Sequence, residues 1–320
     1  MSLTVVTAVY NDERFIAKSI ESILGQTFMD FEYIIIDDGS TDKTPQILDT
    51  YARTDSRVRV ITQNNAGPAA AKNTGIGLAS SEYIVLQDSD DLSQPDRLSR
   101  LKLAFERATA DVITSNYEVI AEDDSVICAF TKPINLVEKL EIGINPICHG
   151  ATAFNINVLL AVGTFNPFYR DSEDYDLYLR LLESNARFIK LDKILYHYRL
   201  RQDSAMSSAT DFYLKIAHKN HLRRRNGEHE LFPSSKPVVL ARPNPYPCRV
   251  ADALFWSENY KAFRRYYIKN ITSLWCKNRF TFYFLFAWLP DSARKKIKNN
   301  VIKLKKWRYF TYGLKRIHFS

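Results

Sequence analysis

The feature that most restricts the fold is an alternation. Runs of β-branched residues take turns with segments of helical period, and two of the runs end in clustered aspartates. Leu3–Tyr10, LTVVTAVY, reads as a strand. Phe15, Ile16, Ile20, Ile23 and Leu24 then recur at helical spacing. Glu32–Asp37, EYIIID, is the unbroken apolar run of a strand covered on both faces. It stops at Asp37-Asp38-Gly39-Ser40, a turn composition. A helix over 44–53 carries Pro45 in its first turn, where proline is tolerated. A strand over 58–62, an alanine-rich helix over 68–79, a strand over 83–86, a helix over 95–108 and a strand over 112–115 follow. The pattern predicts an α/β fold, Rossmann-like, with a mostly parallel central sheet flanked by helices. Ligands of such sheets bind beyond the carboxyl ends of the strands. Asp37-Asp38 and Asp88–Asp91 both fall at such ends, so they are expected to meet at one site. Further on, a polar aromatic stretch over 166–176 runs into a helix over 174–184, and Leu191–Leu200 reads as strand followed by loop.

Two places could carry chemistry. In Asp88-Ser89-Asp90, two carboxylates one residue apart in a loop can both approach one hard cation. Mg²⁺ or Mn²⁺ takes oxygen ligands and bridges to substrate phosphates, where it would neutralise a diphosphate leaving group. The same tripeptide is also a common solvated acidic turn, and alone it is a weak signal. Glu173-Asp174 lies at a predicted helix start. A carboxylate there either complements the helix dipole or serves as a general base.

Four blocks, in order, decide between these readings. They are Val5–Asn11 (VVTAVYN) with Ile23–Thr27 (ILGQT); Ile34–Thr41 (IIIDDGST) with Asp42; Asn65–Gly75 (NAGPAAAKNTG) leading to Tyr83–Asp91 (YIVLQDSDD) and Pro95–Leu98; and Glu173–Leu179 (EDYDLYL). Over residues 3–205 the chain thereby resembles family 2 of the glycosyltransferases. The resemblance implies the GT-A fold and an inverting transfer of a sugar from a nucleotide-sugar, with UDP first among the nucleotides, to a hydroxyl of a glycan or a polyprenyl-diphosphate-linked acceptor. It implies roles as well. Asp38 would hydrogen-bond the base, Ala8 and Tyr10 would line the base pocket, and Lys72, where the family often has Arg, would meet donor phosphates. Asp88 and Ser89 would contact the donor, Asp90 would be the main ligand of a divalent metal, Mn²⁺ or Mg²⁺, with Asp88 beside it, and Asp174 would be the base with Glu173 in support. His149 and His197 are further candidate contacts, with His149 on the acceptor side. Tyr198–Ser207 resembles a loop that closes over the donor; Arg201 stands where that loop often has His. A guanidinium ligates no metal, but it pairs with a diphosphate.

Charge divides the chain. Residues 1–200 hold 29 Asp+Glu against 19 Lys+Arg, whereas residues 201–320 hold 7 against 25. We therefore expect a catalytic domain over 1–209 and a basic, aromatic, mainly helical region over 210–320. In the latter Trp256, Tyr260, Phe263, Tyr266, Tyr267, Trp275, Phe280, Trp288, Trp307 and Tyr309 are interleaved with Lys and Arg. Such a composition suits an anionic membrane surface, a partner or a second copy of the chain. Five prolines over 233–247 mark an extended segment. No run reaches the ~20 apolar residues of a spanning helix, and Met1–Tyr10 lacks the basic start of a signal peptide. The expectation is a cytoplasmic protein, peripheral on the inner face of the cell membrane and not secreted. The four cysteines form no CxxC pair, so neither a zinc site nor a thioredoxin-like site is expected.

Two other classes compete. A basic aromatic rear suits nucleic acid, but no nucleic-acid motif accompanies it and the front is acidic, so no nucleic-acid partner is expected. A dinucleotide enzyme would need G-x-G-x-x-G after the first strand, where the chain reads Val9-Tyr10-Asn11-Asp12-Glu13. A nucleotidyltransferase shares sheet and metal, and only the Asp174 block and the four-block order stand against it.

Overall fold

The computed structural model describes residues 2–201, 209–233, 246–270, 283–294 and 297. Of the rear aromatic residues, Trp275, Phe280, Trp307 and Tyr309 lie outside these, as do most of the proline-rich segment and of the expected donor loop after Arg201.

The alternation in the sequence is the alternation in the chain. Strands β1 (Leu3–Val9), β2 (Phe31–Asp37), β3 (Val58–Thr62) and β4 (Tyr83–Leu86) are separated by helices α1 (Ile16–Leu24), α2 (Thr44–Thr54) and α3 (Pro68–Gly77). The four strands pair in parallel in the order β3-β2-β1-β4. The remaining strands are β5 (Leu92–Ser93), β6 (Val112–Ile120), β7 (Val126–Phe130), β8 (Ala153–Asn155) and β9 (Phe188–Arg199). They extend the sheet as β4-β8-β6-β9-β5, with β7 on β6. Here only β6–β9 is parallel, so the sheet is parallel in its first half and mixed beyond. Helices α4 (Arg97–Arg107), α5 (Leu136–Glu141), α6 (Ile156–Ala161) and α7 (Glu173–Glu183) complete the first two hundred residues.

Helices cover both faces of the first four strands. On one side Ile16, Ile20 and Ile23 of α1 and Leu98, Leu101 and Phe105 of α4 pack on Val5, Ile35 and Val85. On the other side Ile76 of α3 packs with Val6, Ile84 and Leu86 and with Tyr175, Tyr178 and Leu179 of α7. Each fully buried aliphatic or aromatic side chain contributes about 1.5–3 kcal/mol, which is why the unbroken run Tyr33–Ile36 can only be an inner strand.

Beyond residue 209 the described residues form α8 (Ala209–Arg225), α9 (Tyr246–Trp256) and α10 (Tyr260–Asn270). Ile216 and Ala217 of α8 join the core that holds α7. Val250, Leu254 and Phe255 of α9 and Phe263 of α10 join Val119, Cys128 and Leu200 at the far edge of the sheet. The basic region therefore shares its cores with the sheet. No helix among the described residues is long and apolar enough to cross a membrane.

Candidate active site

The carboxyl ends of β1, β2 and β4 meet, as parallel pairing requires: Val9 is opposite Asp37 and Val6 opposite Leu86. At the end of β1, Asn11 takes φ 49°, a left-handed conformation that Asn tolerates better than most residues. Its side chain accepts from Thr41 N at 2.7 Å, and its own N donates to Ser40 Oγ at 2.9 Å. The turn after β1 is thereby fastened to the turn after β2, and the buried Asp12 is aimed inward, where its Oδ2 accepts from Ser89 Oγ at 2.6 Å. Asp38 Oδ1 accepts from Gln63 Nε2 (2.7 Å) and Ala66 N (2.9 Å), and its Oδ2 from Gly67 N (2.8 Å). These bonds hold the loop that enters α3, where Gly67 has φ 90° and Pro68 opens the helix. Three of about four acceptor positions of the carboxylate are thus filled by the protein.

The loop after β4 is held by two buried arginines. Arg97, at the start of α4, donates to Gln87 Oε1 (3.0 Å), Ser93 Oγ (2.8 Å), Leu86 O (2.8 Å) and Gly150 O (2.6 Å). Arg199, at the end of β9, donates from its backbone N to Asp91 Oδ1 (2.6 Å) and from Nε to Asp90 O (2.6 Å). Tyr196 Oη accepts from Asp88 N at 3.1 Å. A Cβ on Gly150 would lie 1.9 Å from that hydroxyl and 2.7 Å from Asp88 Oδ2, so only glycine fits. The result is a fixed row of acids with too little positive charge around it. Burial, then Asp12 and Asp88, push the Asp90 carboxyl up to about 7, against the opposing pull of Arg201. Burial, then Asp90 and Asp88, raise Asp91 well above the usual range.

The opposite wall comes from α3 and α7. Lys72 is buried, with Nζ 3.4 Å from Glu173 Oε1 and 5.5 Å above the Phe165 ring. Burial alone would lower its pKa; Glu173, Asp88 and Asp174 outweigh burial and raise it. Lys72 therefore lies within the field of both the β4 loop and the start of α7. Asp174 accepts from Asn145 Nδ2 at 2.7 Å and from Tyr175 N at 2.7 Å. Burial, then Glu173, raise it to about 7, with Lys72 acting in the other direction. His149 stacks edge-on to Phe165, and its Nδ1 is 3.2 Å from Tyr178 Oη. Its buried Nε2 has no hydrogen-bond partner. Burial and Lys72 hold the ring well below 6.5, so it is neutral at pH 7.

Except for His197, the residues singled out in the sequence fall in one neighbourhood, though not with equal freedom. Asp88, Asp90, Lys72, Glu173 and Asp174 share one electrostatic field. Ser89 is turned to Asp12, and Arg201 pairs with Asp12 and Asp90 at 3.0 and 3.5 Å. Tyr10 is half exposed at the mouth, and Ala8 packs with Ile34, Ile36 and Ala71. Lys72 is no solvated helix lysine. His197 stands apart, between Gln94 and Glu118. Three participants have no role assigned from the sequence: Asp12, and Arg97 and Arg199, which lie within quoted blocks without a part of their own. Nothing local marks them; each acts across a contact between distant elements.

A mixed sheet flanked by helices, with acids at the ends of its parallel strands, is the arrangement of the GT-A fold. Residues 4–147 match the family described as Glycosyl transferase family 2. The chain is 32% identical over 218 residues to the putative glycosyltransferase EpsE of Bacillus subtilis, covering 67% of this chain and 78% of that protein. It is 32% identical over 223 residues to a chondroitin synthase of Escherichia coli, covering 69% of this chain but only 32% of the synthase. The chain thus spans about a third of that longer relative. The fold is similar to S. aureus TarS residues 1–349, crystallised with UDP-GlcNAc, at TM-score 0.56 and 18% identity over 94% of this chain and 92% of that one. The chain belongs to glycosyl transferase family 2.

Proposed function

We propose that the protein transfers a sugar from a UDP-sugar to a hydroxyl of a glycan or lipid-linked acceptor, with inversion at the anomeric carbon and with a divalent metal, in the synthesis of a surface polysaccharide or glycoconjugate. The observation that carries this reading is that buried Lys72 lies within the field of both Asp88 of the β4 loop and Asp174 of α7. That arrangement supplies a seat for a diphosphate and a base, with a cation within reach of both.

The residues present fit a metal. Burial, then the neighbouring Asp12 and Asp88, raise the Asp90 carboxyl, and a cation would relieve that cost of holding negative charge there. Among the described residues no three acidic, His or Cys side chains form a cage of their own. Mg²⁺ and Mn²⁺ need none, since one or two carboxylates plus substrate phosphates suffice. Asp90 and Asp88 would hold the ion, which supplies charge neutralisation of the leaving diphosphate. The other steps belong to side chains. Asp38 has one acceptor position left for an imide N–H of the base, beside Ala8 and Tyr10. Lys72 and Arg201 take up charge on the diphosphate. Asp174 accepts the proton of the acceptor hydroxyl as its oxygen attacks the anomeric carbon. The bond from that carbon to the diphosphate breaks, and its electron pair leaves with the nucleotide. A base near pKa 7 suits that task at neutral pH. Glu173 keeps Lys72 in place, and His149 stands on the acceptor side.

Catalysis is assigned to residues 1–209, and attachment to an anionic membrane surface to residues 210–320. Supporting that division, Trp256, Ile268, Leu285 and Trp288 are exposed, and Arg264 lies 4.5 Å over the Trp288 ring. Lys261 and Arg265 line a cavity of about 770 Å³ with Ile127, Val250 and Leu254. Flotation with anionic and with neutral vesicles tests it; no anionic preference, or self-association alone, would count against the membrane assignment.

The enzymatic reading is tested by nucleotide release from UDP-, GDP- and dTDP-sugars with Mn²⁺, Mg²⁺ or EDTA, and by NMR of the product anomer. Release from a UDP-sugar, lost in EDTA and in Asp174→Asn, with an inverted product, is expected. A retained anomer would remove the single-displacement mechanism, and folded protein that uses no donor in the panel would remove the proposed reaction.

A further inference from the structure

The acids of the β4 loop already face a cation carried by the chain. Arg201 Nη1 lies 3.0 Å from Asp12 Oδ1 and 3.5 Å from Asp90 Oδ2. Its guanidinium also sits 5.2 Å over the Phe15 ring, which fixes its height above the acids. The tether comes from the C-terminal region: Arg249 of α9, itself buried, donates from Nη2 to the backbone carbonyl of Arg201. The arm that reaches the acids is thus held in position from the C-terminal region.

We propose that Arg201 is the resident counter-cation of the metal site, positioned by Arg249, and that a divalent ion binds Asp90 only by displacing it. This rests on the metal reading above and extends it to what the site does when empty of metal. A guanidinium and a metal ion on the same carboxylate compete for the same lone pairs and repel each other at short range in a poorly screened space. Entry of the ion therefore requires Arg201 to give up Asp90. The arm so released lies beside the place where a diphosphate would be held, and an anionic donor gives it a new partner. Metal binding by the free enzyme is weak for that reason, and donor and metal favour each other's binding. Arg249 is a positioning residue in this scheme; it touches neither ion nor donor.

The test is Mn²⁺ calorimetry on the full chain without nucleotide. Arg201→Gln is expected to bind Mn²⁺ at least about tenfold more tightly than the wild type. Arg249→Met leaves the guanidinium of Arg201 in place but cuts its tether, and is expected to gain about threefold; Arg249→Lys replaces it if Arg249→Met does not fold. Adding Asp90→Asn to Arg201→Gln should abolish the gain. Unchanged or weaker Mn²⁺ affinity in folded Arg201→Gln, with wild-type binding lost in Asp90→Asn, overturns the counter-cation while leaving the metal site standing. Mn²⁺ affinity indifferent to Asp90→Asn, or absent from every variant, overturns both.

Discussion

Asp174→Asn should cost the enzyme its turnover and make the fold more stable. Burial and Glu173 place the carboxyl near 7 in the folded protein, against an ordinary value of 3.8. A carboxyl raised in this way is stable in the fold while protonated. Its charged form is disfavoured there, so the fold loses stability as pH rises from about 4 through 7. Each pH unit of separation corresponds to about 1.4 kcal/mol, which sets an upper bound of about 4 kcal/mol at pH 8. Asp174 keeps some contact with solvent and a hydrogen bond from Asn145, and Lys72 offsets part of the strain, so about 2 kcal/mol is the working figure. The amide of Asn, like the protonated carboxyl, keeps one acceptor oxygen, enough for the bond from Tyr175 N or the bond from Asn145 Nδ2 but not for both. Urea unfolding of both proteins at pH 4 and pH 8 reads the effect: equal stability at pH 4, and a variant about 2 kcal/mol more stable at pH 8. Turnover should fall by about 10²–10⁴. A variant no more stable than wild type at pH 8 would refute the burial argument, and one that keeps full turnover would refute the assignment of the base.

Two further substitutions probe the frame behind the acids. Gly150→Ala forces a Cβ within 1.9 Å of Tyr196 Oη and 2.7 Å of Asp88 Oδ2; overpacking of that kind destabilises by about 1–3 kcal/mol, and a shift of Asp88 by about 1 Å should lower donor turnover on the order of 10²-fold. Wild-type Tm together with wild-type turnover would contradict the close approach. Arg97→Met removes four hydrogen bonds to buried acceptors, of which Gln87 Oε1 and Ser93 Oγ keep the bond between them; at about 1–3 kcal/mol for each acceptor left bare, with the lost packing, a loss of about 3–5 kcal/mol is expected by denaturant titration. A loss under about 1 kcal/mol would show that Arg97 does not hold the loop.

The parallel half of the sheet was legible because its signals are local. Tyr33–Ile36 can be nothing but an inner strand, and a helix of 3.6 period must return the chain to start the next one. The acids are a different case: alone, Asp88-Ser89-Asp90 is a common acidic turn and Glu173-Asp174 a helix start, and only the resemblance carried by the ordered blocks singles them out. Beyond residue 115 the signals weaken. β5 is two residues long and β7 pairs with β6 through an irregular register, so neither has a period to detect. The antiparallel partners of β8 depend on contacts, not on pattern. Asp12, Arg97 and Arg199 were missed on the same grounds. An arginine in the first turn of a helix looks solvated until β4, β5 and Gly150 close around it, and Asp12 looks like the turn residue it also is. Arg201 was singled out by its departure from a family position, but its pairing with Asp12 and its tether to Arg249 belong to the folded chain alone.

Asp88 and Asp90 are proposed to bind a nucleotide diphosphate through a divalent metal. Calorimetry of UDP binding to the full chain, with Mn²⁺ and with EDTA, for wild type and Asp90→Ala, tests it most directly. One UDP site is expected in the presence of Mn²⁺, weakened at least about tenfold by EDTA or by Asp90→Ala. Tight UDP binding that ignores both the metal and Asp90 would contradict it.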